Sequence, residues 1–159
     1  MVHTEIRMAQ RSDAEYMAPR LRKADLNEMM AVLGEDTDPV KALTYGIEIS
    51  VYPFAGLIDH KVACIFGAVP EPLHTHVGSI WMMGTGAIAK HRVAFLRKSR
   101  PCLDQVFEPF SMLWNAVDKR NALHIRWLRW LGFRFLWEIP EYGEMCLPFL
   151  EFAKIKTDV

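Results

Sequence analysis

The chain has 159 residues, 51 % of them hydrophobic and 24 % charged, with 19 basic residues balancing 19 acidic ones. That composition excludes a disordered segment, which combines low hydrophobicity with high net charge, and gives no support to nucleic-acid binding by bulk positive charge. No apolar run approaches the roughly 18 residues that cross a bilayer, and Met1–Ser12 lacks the long apolar stretch of a secretory signal. The length predicts one domain over residues 1–159. Three scattered cysteines, Cys64, Cys102 and Cys146, are too few for a disulfide framework and read as small buried hydrophobes in a reducing compartment.

The zero net charge conceals an asymmetry. Residues 24–60 carry seven acids and one base, whereas residues 90–134 carry ten bases and three acids. Two oppositely charged solvated faces account for this. The alternative is a basic half that receives an anion such as a phosphate.

Ile6-Arg7-Met8 predicts a first strand. Ser12 and Glu15 then have the spacing of a capping box for a helix running to about Lys23. Leu26, Met29, Met30 and Leu33 repeat as the apolar stripe of a second helix that Gly34 stops. Asp38-Pro39 starts a third helix, with Val40, Leu43 and Ile47 facing inward. The period then changes. Val51–Ile58 and Val62–Val69 predict a hairpin turning at Asp59-His60-Lys61, with Pro70 and Pro72 ending its second strand. Val77–Met83 predicts another strand, closed by Gly84-Thr85-Gly86. A helix follows over 87–100, broken by Pro101, and a new stripe begins at Leu103. Met112–Val117 predicts a strand, followed by a helix to Leu131 and two closing strands. The layout is mixed α/β with a single central sheet flanked by helices.

The segment Asn121–Phe133 reads NALHIRWLRWLGF. Leu123, Trp127, Leu128, Trp130 and Leu131 form an apolar arc opposite Arg126 and Arg129, and Gly132 suits the left-handed position that ends such a helix. Within the arc, His124 is either a satisfied core histidine or a base, since its pKa suits one. Arg92, in an arc with Ile88, Phe95 and Leu96, either snorkels to the sheet edge or grips a phosphate. His74-x-His76 has no partner carboxylate or cysteine nearby and reads as a polar loop, so no metal site is expected. Trp127 and Trp130 fall toward opposite edges of the buried arc, so one aromatic edge beside arginine is left for a protein partner.

A strand ending in Asn, an amphipathic helix and Gly132-Phe133 resemble the closing unit of the GNAT superfamily, whose fold supports acyl-CoA-dependent N-acetyltransferases. Residues Trp81, Gly84-Thr85, Phe95-Leu96-Arg97, Leu113-Trp114-Asn115 and Ile125-Arg126-Trp127-Leu128 extend the likeness over about Trp81–Phe152. There the chain is similar to a phage family that includes internal virion protein A of teseptimavirus-like short-tailed phages. The resemblance implies a GNAT-type fold, phage origin, and action in virion assembly or infection through contacts with phage or host proteins or with itself. It also implies a place in the host cytoplasm or the virion.

The GNAT resemblance implies Met83, Gly84, Thr85, Gly86, Arg92 and Asn121 as the candidates for holding acetyl-CoA, and His124 as the candidate catalytic residue. The pattern's phosphate loop opens on Gln or Arg and carries glycines. Here Met83 stands at the opening and Ile88 at a glycine place, so Gly84-Thr85-Gly86 also reads as a plain strand-to-helix turn. The tyrosine commonly taken as the acid falls at Leu128, which has no proton to give, and Tyr142 or a cysteine is the stand-in. A degenerate site is expected, with an active N-acetyltransferase for a small-molecule or protein amine as the alternative.

Overall fold

The computed structural model describes residues 1–157. Seven strands form one sheet in the order β1-β2-β3-β4-β5-β7-β6: β1 (Thr4–Met8), β2 (Val51–Ile58), β3 (Lys61–Glu71), β4 (His74–Gly84), β5 (Met112–Asp118), β6 (Arg134–Tyr142) and β7 (Leu147–Ile155). Every neighbouring pair is antiparallel except β4 and β5. That parallel contact lasts for only three pairs, Val77↔Met112, Gly78↔Leu113 and Ser79↔Trp114. Beyond it β4 runs on to Gly84 against β3 and β5 to Asp118 against β7 without pairing to each other, so the sheet splits.

Six α-helices cover the sheet: α1 (Arg11–Met17), α2 (Lys23–Leu33), α3 (Pro39–Ile49), α4 (Ala87–Lys90), α5 (Arg92–Phe107) and α6 (Ala122–Trp130). One face packs α1 and α3 around Met17, Leu43, Ala55 and Ile65. The other packs α5 and α6 around Phe66, Leu103, Val106, Leu113, Leu128 and Phe152. From Cys64 to Ala68 alternate residues of β3 serve the two faces, as a pleated strand requires; the register shift before Cys64 puts Val62 on the α1 and α3 face. The helix α2 lies over β5 and β7, where Ala31 meets Ala116 and Phe149.

Several local expectations hold. Asp38 caps α3 by accepting the Val40 and Lys41 N–H groups, with Pro39 at the first helical position. Asp59 and His60 turn the β2–β3 hairpin with φ of 47° and 65°, the backbone that matches strand twist. Gly132 (φ 91°) follows α6, where Phe133 N–H reaches Leu128 O at 3.1 Å and Gly132 N–H reaches Arg129 O at 3.0 Å. Together these form a Schellman stop.

Other expectations are corrected. The first helix begins at Arg11, capped from Gln10, because Asp13 accepts the Gln10 N–H at 2.8 Å while also holding Arg7. Ser12 and Glu15 form no cap there. This helix ends at Met17, and Ala18–Arg20 form a 3-10 turn. The break between helices falls at His91 rather than Pro101. Pro101 lies inside α5 on its exposed side, where the carbonyl that its missing N–H leaves free is within reach of water. Likewise β3 continues through Pro70 to Glu71. On α6 the buried positions are Ile125 and Leu128, while Leu123 and Trp130 are exposed and Arg100 stacks over Trp130 at 4.4 Å. Cys146 is exposed, unlike the buried Cys64.

Candidate functional site

Where the sheet splits, backbone groups of β4 become available. Thr85 N–H donates to Ala63 O on β3 at 2.8 Å. Strand alternation therefore turns the polar groups of Gly84, Met82 and Ile80 toward β5. Two of these positions are anchored: the Asn115 amide donates to Ile80 O at 2.6 Å, and Gly84 N–H donates to Asp25 at 2.9 Å. Met82 lies between them, its N–H and C=O facing the gap that β5 has left.

Polar side chains from three elements cross the mouth of this gap. Asp25 and Glu28 of α2 are 1 % and 8 % exposed. The reading of α2 as a stripe through Leu26, Met29, Met30 and Leu33 is thus corrected in all but Met29: Leu33 is 54 % exposed, and the inward stripe is Asp25, Glu28, Met29 and Val32. That stripe has the same i, i+3, i+4, i+7 spacing, but it begins with two carboxylates, which apolar periodicity passes over. Arg22, just before α2, holds Asp25 with two bonds of 3.1 and 2.8 Å. Arg120 similarly holds Asp118, at the end of β5, with its closest contact at 2.7 Å.

Among the described residues Glu28 has no such cation. Its Oε2 accepts from the Asn121 amide at 2.9 Å and its Oε1 from the Asp118 N–H at 3.3 Å. Asn121 is held in turn as the N-cap of α6, accepting the His124 N–H at 3.4 Å. One turn into that helix, His124 Nδ1 lies 4.0 Å from Glu28 Oε2. This nitrogen is buried and has no hydrogen-bond partner among the described residues.

Burial raises the Glu28 carboxyl from 4.5 to about 7, against the opposing hydrogen bonds of Asn121 and Asp118. Burial likewise lowers the His124 imidazole from 6.5 to about 4, with the Asp25 charge opposing. Both groups thus favour their uncharged forms. The ligating atoms of Asp25, Glu28 and His124 fall within 4.8 Å of one another. Metal bonds of 2.0–2.1 Å would bring such atoms to about 3.3 Å, and Arg22 already neutralises Asp25. A second group, His3, Glu5 and His60, is exposed, and His3 stacks on His60 at 4.7 Å.

Beside this cluster runs a mainly apolar cavity of about 320 Å³, lined among others by Glu28, Met82, Asn115, His124, Trp127 and Tyr142. Tyr142 stacks on Phe149 at 4.6 Å, and burial raises its hydroxyl pKa.

The sequence candidates divide. His124 belongs to the cluster. Asn121 is 3 % exposed and engaged within the protein. Gly84 and Thr85 are buried, and the Thr85 hydroxyl donates to Ala63 O and accepts the Ala87 N–H. Gly86 is exposed, and a Cβ placed there meets nothing within 4 Å. Met83 packs toward the α1 and α3 face. Ile88 is buried against Gly84, so its side chain points into the core and does not crowd the loop. Arg92 is not part of an apolar arc: the break at His91 resets the helical phase and leaves it exposed at the first residue of α5. Leu128 is a core residue, 3 % exposed. His74 and His76 lie exposed on β4, not in a loop.

No family model matches the chain, and no curated protein sequence matches it. Solved structures do. Ribosomal-protein-S5-alanine acetyltransferase from Vibrio fischeri superposes with a TM-score of 0.70 at 16 % identity, over 98 % of this chain and 94 % of that one. Ribosomal-protein-alanine N-acetyltransferase from Brucella melitensis gives 0.69 at 15 % identity, over 96 % and 99 %. The chain has the GNAT acetyltransferase fold. AAC(6')-Ib in complex with ribostamycin and coenzyme A gives 0.71 at 12 % identity, over 96 % and 93 %. Within this GNAT fold the split between β4 and β5 is the feature around which the polar cluster and the cavity assemble.

Proposed function

We propose that the protein is an acyl-CoA-dependent N-acyltransferase acting on a primary amine. The observation that carries this reading is the exposed backbone edge at Met82, held between the anchored positions Ile80 and Gly84. An extended, amide-bearing arm can add to such an edge as a further strand would. The coenzyme A held by AAC(6')-Ib supports a ligand of that type. Acetyl-CoA, when bound, supplies the activated acyl group.

This chain's residues fit the arm better than they fit its phosphates. Gly84 and Thr85 spend their N–H groups on Asp25 and Ala63. Gly86 is open, and Lys90 and Arg92 follow it at the surface, so charge there replaces a full set of backbone donors. Calorimetric titration with acetyl-CoA tests the reading. Saturable binding is expected, weakened at least tenfold in Gly86→Glu, which has room for its side chain, and reduced in Arg92→Ala. No binding at millimolar acetyl-CoA overturns it.

A second reading rests on Leu128 and on the resemblance to phage internal virion proteins: a GNAT scaffold that works through phage or host protein contacts. The exposed Trp130, stacked with Arg100 beside Val93 and Leu96, favours it. Light scattering that shows a concentration-dependent increase in mass, abolished by Trp130→Ser, is its expected signature for self-association.

A further inference from the structure

We propose that Glu28 and His124 form a buried carboxyl–imidazole pair that holds one shared proton and takes the proton of the acceptor amine at the cavity wall. The inference rests on the acyl-transfer reading and names the base of that same site. Around the mouth of the gap stand three carboxylates, Asp25, Glu28 and Asp118, and two guanidiniums. Arg22 is committed to Asp25 and Arg120 to Asp118. Among the described residues Glu28 is left with neutral donors only, the Asn121 amide and the Asp118 N–H. A buried carboxylate without a cation lacks one positive charge, and a proton is the smallest that fits.

His124 completes the argument. Its Nδ1 is buried and unpartnered among the described residues, 4.0 Å from Glu28 Oε2. A protonated Glu28 can donate to that nitrogen after a shift of about 1 Å, because an O–H···N bond closes near 2.7–3.0 Å. Once the proton has gone, the neutral imidazole leaves Glu28 a free acceptor facing the cavity. The groups facing Glu28 are Asp25 and Arg22 from α2 and its lead-in, Asp118 and Arg120 from the end of β5, Asn121 and His124 from α6, and Tyr142 from β6.

The step balances simply. An acceptor ammonium gives one proton to the Glu28 carboxylate, the nitrogen keeps the electron pair of its N–H bond, and the carboxylate becomes a carboxyl. Glu28 is the catalytic residue and His124 a positioning residue. Chain position hides this pair, since Glu28 and His124 are far apart in sequence and meet only because α2 and α6 converge on the split between β4 and β5.

Two measurements on the full chain test it. Infrared pH-difference spectra, with Glu28→Gln as reference, read the carboxyl directly: a protonated band that titrates near neutrality, absent from Glu28→Gln and displaced in His124→Gln, is expected. Thiol release from acetyl-CoA with methylamine as the probe amine, followed from pH 5 to 9, reads catalysis. Wild type is expected to show a rising limb with its midpoint near 7. Glu28→Gln is expected to lose the limb and about 100-fold in kcat while keeping acetyl-CoA affinity within twofold, and His124→Gln to move the limb. No carboxyl titrating between pH 6 and 8, an unchanged limb in Glu28→Gln, or acetyl-CoA binding without turnover of methylamine overturns the inference. Absence of acetyl-CoA binding by wild type instead overturns the acyl-transfer reading, and the infrared titration still decides whether the pair shares a proton.

Discussion

Asp25 on α2 and Gly84 at the end of β4 are joined by a 2.9 Å hydrogen bond across 59 residues of sequence. Through it the helix that carries Glu28 is fixed to the loop that opens beyond the split in the sheet. A second link reinforces it, since Arg22 N–H donates to Gly84 O at 2.9 Å. The same carboxylate holds Arg22 by two further bonds, so its removal orphans a half-buried guanidinium and a buried N–H together. Asp25→Ala is expected to destabilise the fold by about 3–5 kcal/mol, the scale for breaking one partner of a buried ion pair. Urea unfolding checks this, and Asp25→Asn, which keeps acceptor capacity, is expected to cost less.

The Glu28–His124 pair predicts an unusual dependence of stability on pH. Glu28 has a raised value in the fold, so its contribution is full below pH 4.5 and is lost as pH rises through about 7. His124 has a lowered value, so its contribution is present above pH 6.5 and is lost as pH falls through about 4. Between pH 4.5 and 6.5 the two slopes oppose and cancel. Each alone is worth about 3 kcal/mol over its window. Relative to wild type, Glu28→Gln is expected to gain stability as pH rises from 4.5 to 7, and His124→Gln to gain it as pH falls from 6.5 to 4. Urea midpoints measured every half unit of pH, variant against wild type, read these slopes. Parallel curves for both variants would show that neither group titrates in the fold as described.

Much of this fold was legible because its signals are local. Asp38-Pro39 names a helix start, Asp59-His60 a tight turn, and Gly132-Phe133 a helix stop, each set by the conformations those residues allow. The site was legible in part. His124 stands out as a polar residue in an apolar arc, and Gly84-Thr85-Gly86 as a turn beside a helix. Asp25 and Glu28 do not stand out, because surface helices commonly carry acids and Leu26, Met29, Met30 and Leu33 offer an apolar stripe of the same period, sharing Met29 with the true one. What turns the helix carboxylate-inward is tertiary: Arg22, Gly84 N–H and the Asn121 amide supply the partners that make their burial tolerable. The placing of Arg92 in an apolar arc with Ile88 failed for a similar reason. Helical phase counted from Ile88 does not survive the break at His91, where φ is −117° and ψ is 39°.

The turn between β6 and β7 predicts a contrast between two glycines. Gly143 has φ of 70°, and a Cβ there would lie 2.5 Å from Ala31 O and 2.7 Å from Val32 Cα. The close approach has a purpose: Glu144 and Met145 donate their N–H groups to Val32 O and Ala31 O, satisfying carbonyls at the end of α2. Gly143→Ala therefore combines left-handed strain with a backbone clash that pushes α2 away from the sheet. A loss of about 2–4 kcal/mol is expected, from strain of 1–3 kcal/mol with the clash added. Gly86→Ala meets nothing and is expected to change stability by less than about 1 kcal/mol. Thermal unfolding of the two variants side by side measures the difference, and equal losses would show that α2 does not rest on this turn.

The three cysteines predict a graded reactivity that reports on the same region. Cys146 is exposed, in a turn with φ of 50°. Cys64 is buried, and burial raises its thiol to about 12; Cys102, half-buried in the cavity wall, rises to about 11. The thiolate is the reactive form, so at pH 8 only Cys146 is expected to react quickly with a disulfide reagent. Cys102 should follow at least tenfold more slowly, and Cys64 only on unfolding. Because Cys102 lines the cavity beside the split, a ligand in the cavity is expected to slow its modification further without altering that of Cys146. Mass spectrometry of time-quenched samples, with and without acetyl-CoA, separates the three. Cys64, which also borders the cavity, lies deeper, in the core between β3 and α5; its labelling as fast as Cys102 in the native protein would mean that this core opens on the timescale of the reaction, and that the cavity wall is not the fixed surface described.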